Sequence, residues 1–204
     1  MIVQTKSLDM GSDVTDVYDN LLEPEIAEQI SNEMKTLLWK FEHYSDKDAN
    51  NGNANIHWNI WGGDSVDEVT QCHYSDILLP IWNAIIEKKV AYKYRVTEFR
   101  RCYMNAHTFG IEPHVHKDDG DFTMLYYPRM DWKLEWGGGT SVYDELGEEI
   151  NRHVPYKGNR LLVFDAYLPH QAMTVSRQCY QLRSVIVFKC YVQNNNRQRL
   201  DFYS

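Results

Sequence analysis

The sequence lacks the features that mark exported, membrane-spanning and disulfide-rich proteins. In 204 residues, no apolar run approaches the roughly 18–20 residues that a bilayer-spanning helix needs. The first residues, MIVQTKSLDMGSDVTD, contain no apolar signal core, so we expect a cytoplasmic protein that makes no membrane contact. The four cysteines are scattered without a CxxC pair, which predicts reduced thiols rather than a disulfide framework or a zinc ribbon.

Positive charge is also in short supply. The chain has 21 Lys and Arg against 29 Asp and Glu, a net charge of −8. General nucleic-acid binders need a basic surface, so that class of protein is disfavoured.

Apolar residues make up 43% and aromatic residues 13%, which argues against disorder. A chain of this length can bury a core of its own, and we predict a single domain over residues 1–204.

Helical periodicity is confined to the N-terminal part. A first helix is predicted at 25–41, with Pro24 at its start, and a second at 75–90. Between them, 46–56 is rich in Asp, Asn and Gly and is predicted to be a loop, either a solvated connection or a mobile lid. Residues 57–64 are aromatic and are expected to begin a strand. The predicted stripes consist of Ile26, Ile30, Met34, Leu37 and Phe41 in the first helix, and of Leu78, Ile81, Ile85 and Ile86 in the second.

After Ala91 the pattern changes to short β-type runs separated by Gly, Pro, Asp and Asn. Such runs without intervening helices predict an antiparallel sandwich or barrel. We therefore expect a mainly β protein with flanking α, a double-stranded β-helix (jelly roll, cupin-like) over 92–192. Residues 1–91 would be a helical support packed on the sheet. The predicted strands are at about 92–104, 122–127, 140–143, 150–154, 160–165, 171–175 and 182–192.

The segment GIEPHVHKDDGDFTMLYYP holds two candidate metal ligands. His116 and Asp118 are two residues apart, and side chains at i and i+2 of a strand point to the same face. A third ligand is available from His170, which follows a predicted strand. Two histidines and one carboxylate form the facial triad of non-haem Fe(II) oxygenases. Zinc could use the same three ligands, so the ligands alone do not choose the metal.

Arg183 distinguishes between these metals. It lies in the apolar run RSVIVFK, and a buried arginine is costly unless an anion meets it. Its planar fork suits a carboxylate, and the distal carboxylate of 2-oxoglutarate would supply one beside an iron site. Tyr127 could add a hydroxyl to the same carboxylate, and Tyr103 could do so from the preceding strand.

Several alternatives stay open at this stage. His114 shares a face with His116, so that a three-histidine site with His170, or a register with His114 as the first ligand, is conceivable. Arg177 could replace Arg183 as the carboxylate-binding residue. The fold could also be a cupin-like metal-binding module without oxygenase turnover, or a zinc hydrolase. His107 and Asn105 are expected near the mouth of the pocket, where they could contact substrate.

These residues resemble a known family. The HxD pair, GNRLLVFDAYLPH with the distal histidine and LRSVIVFK with the arginine follow the order found in 2-oxoglutarate/Fe(II)-dependent dioxygenases. RCYMNAHTFG, FTMLYYP and WGGGTSVYD make the resemblance closer to the prolyl 4-hydroxylase-like branch, and to small oxygenases of phages and marine bacteria. The similarity covers about residues 97–190. Gly139 stands where that branch has an acidic residue in its WGGET-type segment.

The resemblance implies a set of cofactors and roles. Fe(II) would be held by the catalytic triad His116, Asp118 and His170. The co-substrate 2-oxoglutarate would be bound by Arg183 with Tyr127 and Tyr103. O2 is the second co-substrate, and ascorbate is a further candidate. The implied reaction hydroxylates a substrate C–H bond and releases succinate and CO2. The substrate would be a peptidyl proline, another peptide or protein, or a small molecule.

Overall fold

We describe residues 14–44 and 56–192 in a computed structural model of the chain. The strands are β1 (Thr15–Asp19), β2 (Lys40–Tyr44), β3 (Ile56–Gly63), β4 (Val96–His107), β5 (Phe122–Tyr127), β6 (Thr140–Tyr143), β7 (Ile150–Val154), β8 (Arg160–Asp165), β9 (His170–Ala172) and β10 (Arg183–Val192). The helices are α1 (Pro24–Glu33), α2 (Val66–Gln71), α3 (Ser75–Glu87) and α4 (Val90–Lys93). Among these, no helix is long and apolar enough to cross a membrane.

The strands form two antiparallel sheets. The larger has seven strands in the order β1-β8-β5-β10-β4-β3-β2, and the smaller has three in the order β7-β6-β9. Neighbours in the larger sheet are mostly distant in sequence, as the crossing connections of a jelly roll require. The protein is therefore mainly β with the double-stranded β-helix fold, as the strand pattern predicted.

Alternation along the central strands separates two apolar clusters. On β10, Ile186 and Phe188 pack with the helices, whereas Val185 and Val187 face the smaller sheet. β5 is buried on both faces and divides its side chains in the same way. The helices thus cover one face of the larger sheet. The other face, opposite the smaller sheet, is available for a site.

The N-terminal part is less helical than predicted. It contributes β1, β2 and β3 to the larger sheet, where β1 pairs with β8, and β3 pairs with β4. β3 confirms the strand expected at 57–64. β1 (TDVYD) is a short edge strand with no fully buried residue, so it carries little of the periodicity that marks a buried strand. The predicted loop at 46–56 lies outside the described residues apart from Ile56, which begins β3.

The first helix is shorter than its apolar stripe predicted. α1 ends at Glu33, where the hydroxyl of Thr36 donates to the Glu33 carbonyl and the backbone bonds tighten to three-residue spacing. Phe41 lies instead on β2, with its ring 4.5 Å from that of Trp58. Ile26 is 40% exposed, so it does not belong to a buried stripe. Leu37 and Phe41 thus continue the three- and four-residue spacing of apolar residues beyond the end of the helix without belonging to it.

The second predicted helix, 75–90, is two helices. α3 ends at Glu87 and α4 starts at Val90, because Lys89 between them is in the left-handed region with φ of 58°. Four predicted strands match β5, β6, β7 and β8 at both ends. β4 is displaced toward the C-terminus of its prediction, and β9 is shorter than predicted.

Candidate metal centre and co-substrate cavity

The two halves of the predicted triad are joined by backbone hydrogen bonds. His116 lies in the segment between β4 and β5 rather than on a regular strand, and it forms an isolated bridge with His170 on β9. The amide of His116 donates to the His170 carbonyl at 3.0 Å, and the amide of His170 donates to the His116 carbonyl at 2.9 Å. The amide of Asp118 donates to the carbonyl of Ala166 at 2.8 Å. These bonds hold both sides of the site in extended register, so the two-residue spacing works as predicted.

The three side chains converge on one point. One ligand atom from each of His116, Asp118 and His170 lies within 4.8 Å of the others. Nε2 of His116 is 3.7 Å from Oδ1 of Asp118, and Nε2 of His170 is 3.2 Å from Oδ2. Two imidazole nitrogens and one carboxylate oxygen at these separations are a donor set that suits a divalent transition metal.

Both histidines are oriented to offer the same ring atom. Nδ1 of His116 lies 3.1 Å from the carbonyl of His114, and Nδ1 of His170 lies 2.9 Å from the carbonyl of Leu168. A backbone carbonyl there fixes the tautomer with the proton on Nδ1 and leaves the Nε2 lone pair for a metal. Burial and the neighbouring His170 lower the pKa of His116 to about 4, so it is neutral at pH 7.

Asp118 is buried and charged, which requires compensation. Burial opposes the charged form, but the ammonium of Lys189 and the imidazole of His170 outweigh it and hold the pKa of Asp118 well below its usual range. Lys189 was not foreseen in the sequence. It is 2% exposed, contacts Oδ2 of Asp118 and lies 3.4 Å from Oγ1 of Thr123.

The structure bears on the open question of His114. In the described part of the chain, the cluster of close ligand atoms contains Asp118 and does not include His114. The ring of His114 is centred 5.5 Å from that of His116, and its backbone carbonyl serves to orient that ring. The geometry therefore favours the His116 and Asp118 pairing.

One cavity runs from the triad to Arg183. On β10, Arg183, Val185 and Val187 alternate onto the face that lines it. The triad, Leu125 of β5, the two valines and Arg183 all line it. Lys189, which contacts Asp118, lies toward the opposite end of β10 from Arg183, so we assign the triad and the guanidinium to opposite ends of the cavity. A cavity that holds a cluster of metal-ligating side chains and, apart from it, a guanidinium suits a short dicarboxylate.

Arg183 is 2% exposed and fixed by neutral acceptors. Its Nε donates to the carbonyl of Gly138 at 2.6 Å, and Nη2 donates to the carbonyl of Gly139 at 3.3 Å and to Oγ1 of Thr140 at 3.2 Å. Among the described residues, no carboxylate lies within ion-pair distance of it, and Nη1 has no hydrogen-bond partner. Burial lowers the pKa of the guanidinium, but an arginine side chain stays protonated in proteins, so Arg183 is charged at pH 7.

Gly138 and Gly139 let the backbone approach Arg183 closely enough for these hydrogen bonds to form. Gly138 has φ of 73°, and a Cβ there would lie 3.1 Å from Cγ of Arg183. A Cβ on Gly139 would lie 2.5 Å from the carbonyl oxygen of Val154. A side chain, acidic or otherwise, does not fit at 139, and the backbone carbonyl of that residue binds the arginine instead.

Tyr127 reaches the cavity through a residue that the sequence did not single out. Its hydroxyl donates to Oγ1 of Thr140 at 2.8 Å, and Thr140 lines the cavity whereas Tyr127 does not. Oγ1 of Thr140 thus accepts from both Tyr127 and Arg183. Because a hydroxyl has two lone pairs and one proton, that proton is left to point toward another acceptor.

Tyr103, His107 and Asn105 all line the cavity on β4. The ring of Tyr103 is centred 5.9 Å from the ammonium of Lys189, and burial raises the pKa of its hydroxyl to about 12. Burial and nearby Arg183 lower the pKa of His107 to about 3. Oδ1 of Asn105 accepts from the amide of Asn59 at 2.7 Å.

Arg177, the alternative carboxylate binder, lies exposed in the loop between β9 and β10. That position separates it from the buried cavity.

Comparison with known proteins finds similarity to solved structures but none to family models or curated sequences. No family model matches the chain, and no curated protein sequence matches it. A prolyl hydroxylase in complex with a hypoxia inducible factor peptide fragment, from Trichoplax adhaerens, matches with a TM-score of 0.59 and 19% identity. The match covers 86% of this chain and 82% of that one.

Two further solved structures match the chain to a similar extent. A Pseudomonas putida prolyl-4-hydroxylase has a TM-score of 0.61 and 13% identity, over 89% of this chain and 95% of that one. A non-heme alpha ketoglutarate dependent epimerase from nogalamycin biosynthesis has a TM-score of 0.60 and 12% identity, over 86% and 77%. The resemblance noted in the sequence is thus confirmed at the level of the fold: this chain has the double-stranded β-helix of 2-oxoglutarate oxygenases, prolyl hydroxylases among them.

Proposed function

We propose that this chain, acting as a single domain over residues 1–204, is a 2-oxoglutarate- and Fe(II)-dependent dioxygenase that hydroxylates a C–H bond. The observation that carries the proposal is the pairing of two ends in one cavity. A compact His-Asp-His cluster lies at one end, and a buried guanidinium without a carboxylate partner among the described residues lies at the other.

The donor set fits iron. Nε2 of His116, Nε2 of His170 and a carboxylate oxygen of Asp118 would hold Fe(II), which supplies open coordination positions for a keto acid and O2. The carbonyls behind the two rings keep both imidazoles in the ligating tautomer. The overall reaction would convert substrate, 2-oxoglutarate and O2 into hydroxylated substrate, succinate and CO2.

The far end of the cavity would bind the 5-carboxylate of 2-oxoglutarate. Nη1 of Arg183 would donate to it, and the proton of the Thr140 hydroxyl would add a second bond. Tyr127 would act by fixing Thr140, and Tyr103 would line the pocket nearer the metal. Val185 and Val187 would cover the methylene groups and keep water from the co-substrate.

For the substrate, we propose a prolyl residue in a peptide. Two of the similar structures are prolyl hydroxylases, and one of these holds a peptide fragment. Asn105 and His107, near the cavity, are the side chains that we expect to meet it.

The first test separates turnover from simple metal binding. Purified protein is incubated with Fe(II), ascorbate, O2 and 2-oxoglutarate, with and without a panel of proline-containing peptides. Succinate is quantified, and the peptides are examined by mass spectrometry for the gain of one oxygen atom. Binding of N-oxalylglycine, a non-reactive mimic of 2-oxoglutarate, is measured in parallel. Protein that neither binds the mimic nor forms succinate would overturn the proposal in favour of a metal-binding module.

Two neighbouring aspartates provide a matched pair of variants. Asp118→Ala should abolish metal binding and succinate formation, because it removes the only carboxylate of the cluster. Asp119→Ala should preserve both, because Asp119 is paired with Arg101 outside the cluster. Retained activity in Asp118→Ala would point to a three-histidine site that includes His114.

A further inference from the structure

The ammonium of Lys189 occupies one side of the proposed metal ligand Asp118. It contacts Oδ2, the hydroxyl of Thr123 donates to the same oxygen at 2.7 Å, and Nε2 of His170 lies 3.2 Å from it. Oδ1 is the oxygen that faces Nε2 of His116, at 3.7 Å. The two carboxylate oxygens therefore have different neighbours before any metal is considered.

Among the described residues, Lys189 is the cation in direct contact with the carboxylate of Asp118. A buried carboxylate is costly unless a cation compensates it. Lys189 is itself 2% exposed and lies on β10, whose neighbours β4 and β5 enclose it. The side chain cannot turn to solvent without leaving its strand position.

We propose that Lys189 is a positioning residue that holds Oδ2 of Asp118, leaves Oδ1 to the metal and takes the place of the metal's charge in the metal-free protein. The inference rests on the metal site proposed above. Lys189 and Asp118 form an ion pair, so a divalent cation enters against a cation that already lies on its carboxylate. Lys189 thus keeps the empty triad folded in its ligating arrangement and limits metal affinity at the same time.

This role predicts a change in metal affinity that a structural lysine would not produce. Removing the ammonium leaves a negative cluster, which attracts a dication more strongly in a medium of low polarity. Lys189→Met, of similar length, should bind Mn(II) at least about 10-fold more tightly than the wild type. Its metal-free form should unfold at a lower temperature, and Mn(II) should raise that temperature by more than it does in the wild type.

The experiment measures free Mn(II) by its EPR signal during titration at one fixed pH, together with thermal unfolding in EDTA and in Mn(II). Lys189→Arg keeps the charge and should restore wild-type affinity. Thr123→Val removes the neutral donor on the same oxygen, and it should not tighten binding.

Each outcome bears on one claim. Equal or weaker Mn(II) binding by Lys189→Met overturns the role of Lys189, and so does tightening in Lys189→Arg. A Lys189→Met protein that folds only with Mn(II) supports the role. If it folds under neither condition, Lys189→Gln is measured instead, with the same direction expected. Failure of the wild type to bind Mn(II) at all would count against the metal site and not against Lys189 in particular.

Discussion

The two ends of the cavity each contain a buried cation on β10, but the partners of these cations differ. Lys189 meets the carboxylate of Asp118, whereas Arg183 meets backbone carbonyls and the hydroxyl of Thr140. The metal end is therefore balanced in charge before a ligand arrives. At the arginine end, no carboxylate among the described residues compensates the positive charge, although the rings of Tyr127 and Tyr156 are each centred 5.9 Å from it. Binding of an anion should therefore stabilise this end further. In the proposed function, metal binding and acid recognition are therefore separate tasks of the two ends.

The largest effect should come from removing the uncompensated charge. Arg183→Met should weaken 2-oxoglutarate binding to Mn(II)-loaded protein at least about 100-fold, because the distal carboxylate loses a charged donor. Mn(II) affinity should stay unchanged, since the triad lies at the other end of the cavity. Calorimetric titration measures both. Arg177→Met, in the exposed loop, is the control, and wild-type affinity in Arg183→Met would break the assignment of the two ends.

The second-largest effect should come from a side chain added at Gly139, beside the backbone carbonyls that bind Arg183. Gly139→Ala should lower the free energy of unfolding by about 1–3 kcal/mol, because its Cβ would overlap the carbonyl oxygen of Val154. Denaturant unfolding of the metal-free protein measures this. The variant should also bind 2-oxoglutarate more weakly while keeping its Mn(II) affinity. An undisturbed stability would mean that the loop carrying Gly138 and Gly139 adapts easily.

A smaller effect should follow from removing the hydroxyl of Thr140, which accepts hydrogen bonds from Tyr127 and Arg183. Thr140→Val keeps the shape of the side chain but leaves the Tyr127 hydroxyl and one Arg183 donor without their acceptor. We expect 2-oxoglutarate binding to weaken about 10-fold, as a lost hydrogen bond of this kind allows. Ser141→Ala, on the opposite face of the same strand, should leave binding intact. Equal losses in the two variants would assign the effect to β6 in general.

The smallest effect concerns pH at the arginine end. His107 has a pKa of about 3 in the folded protein against 6.5 for an ordinary histidine, so the unfolded chain binds its proton first. Stability from this group is fully present above pH 6.5 and is lost as the pH falls toward 3. His107→Gln should reduce the slope of unfolding free energy against pH by up to about 1.4 kcal/mol per pH unit.

Denaturant unfolding of the metal-free protein at several pH values below 6.5 measures that slope. His116 titrates in the same direction down to about 4, so part of the slope should remain in the variant. An unchanged slope would show that His107 does not take up a proton on unfolding in this range.

The convergence of His116, Asp118 and His170 was predictable because it depends on local spacing. His116 and Asp118 are two residues apart, and two-residue spacing defines a face wherever the backbone is extended. His170 lies one backbone bridge away and is marked by the preceding proline. Arg183 was recognisable because a charge inside an apolar run demands an explanation.

Lys189 and Thr140 were missed for the same physical reason. The neighbouring sequence gives neither residue an unusual role, because a lysine near the end of a strand usually faces solvent and a threonine is common in strands. Their roles depend on which residues of other strands face them, and a single sequence does not contain that register. The end of α1 was wrong because apolar spacing alone cannot detect the change in backbone bonding at Glu33.

The spacing of the two cations along β10 has a consequence for which acids the site accepts. Arg183 is tied to the glycine loop, and Asp118 is held by Lys189 of the same strand. The positions of the guanidinium and of the triad are therefore each held by the fold. A keto diacid with one methylene fewer would leave a gap at one end, and one with an additional methylene would have to buckle. If 2-oxoglutarate is the co-substrate, as proposed, we expect the site to discriminate among keto diacids by chain length.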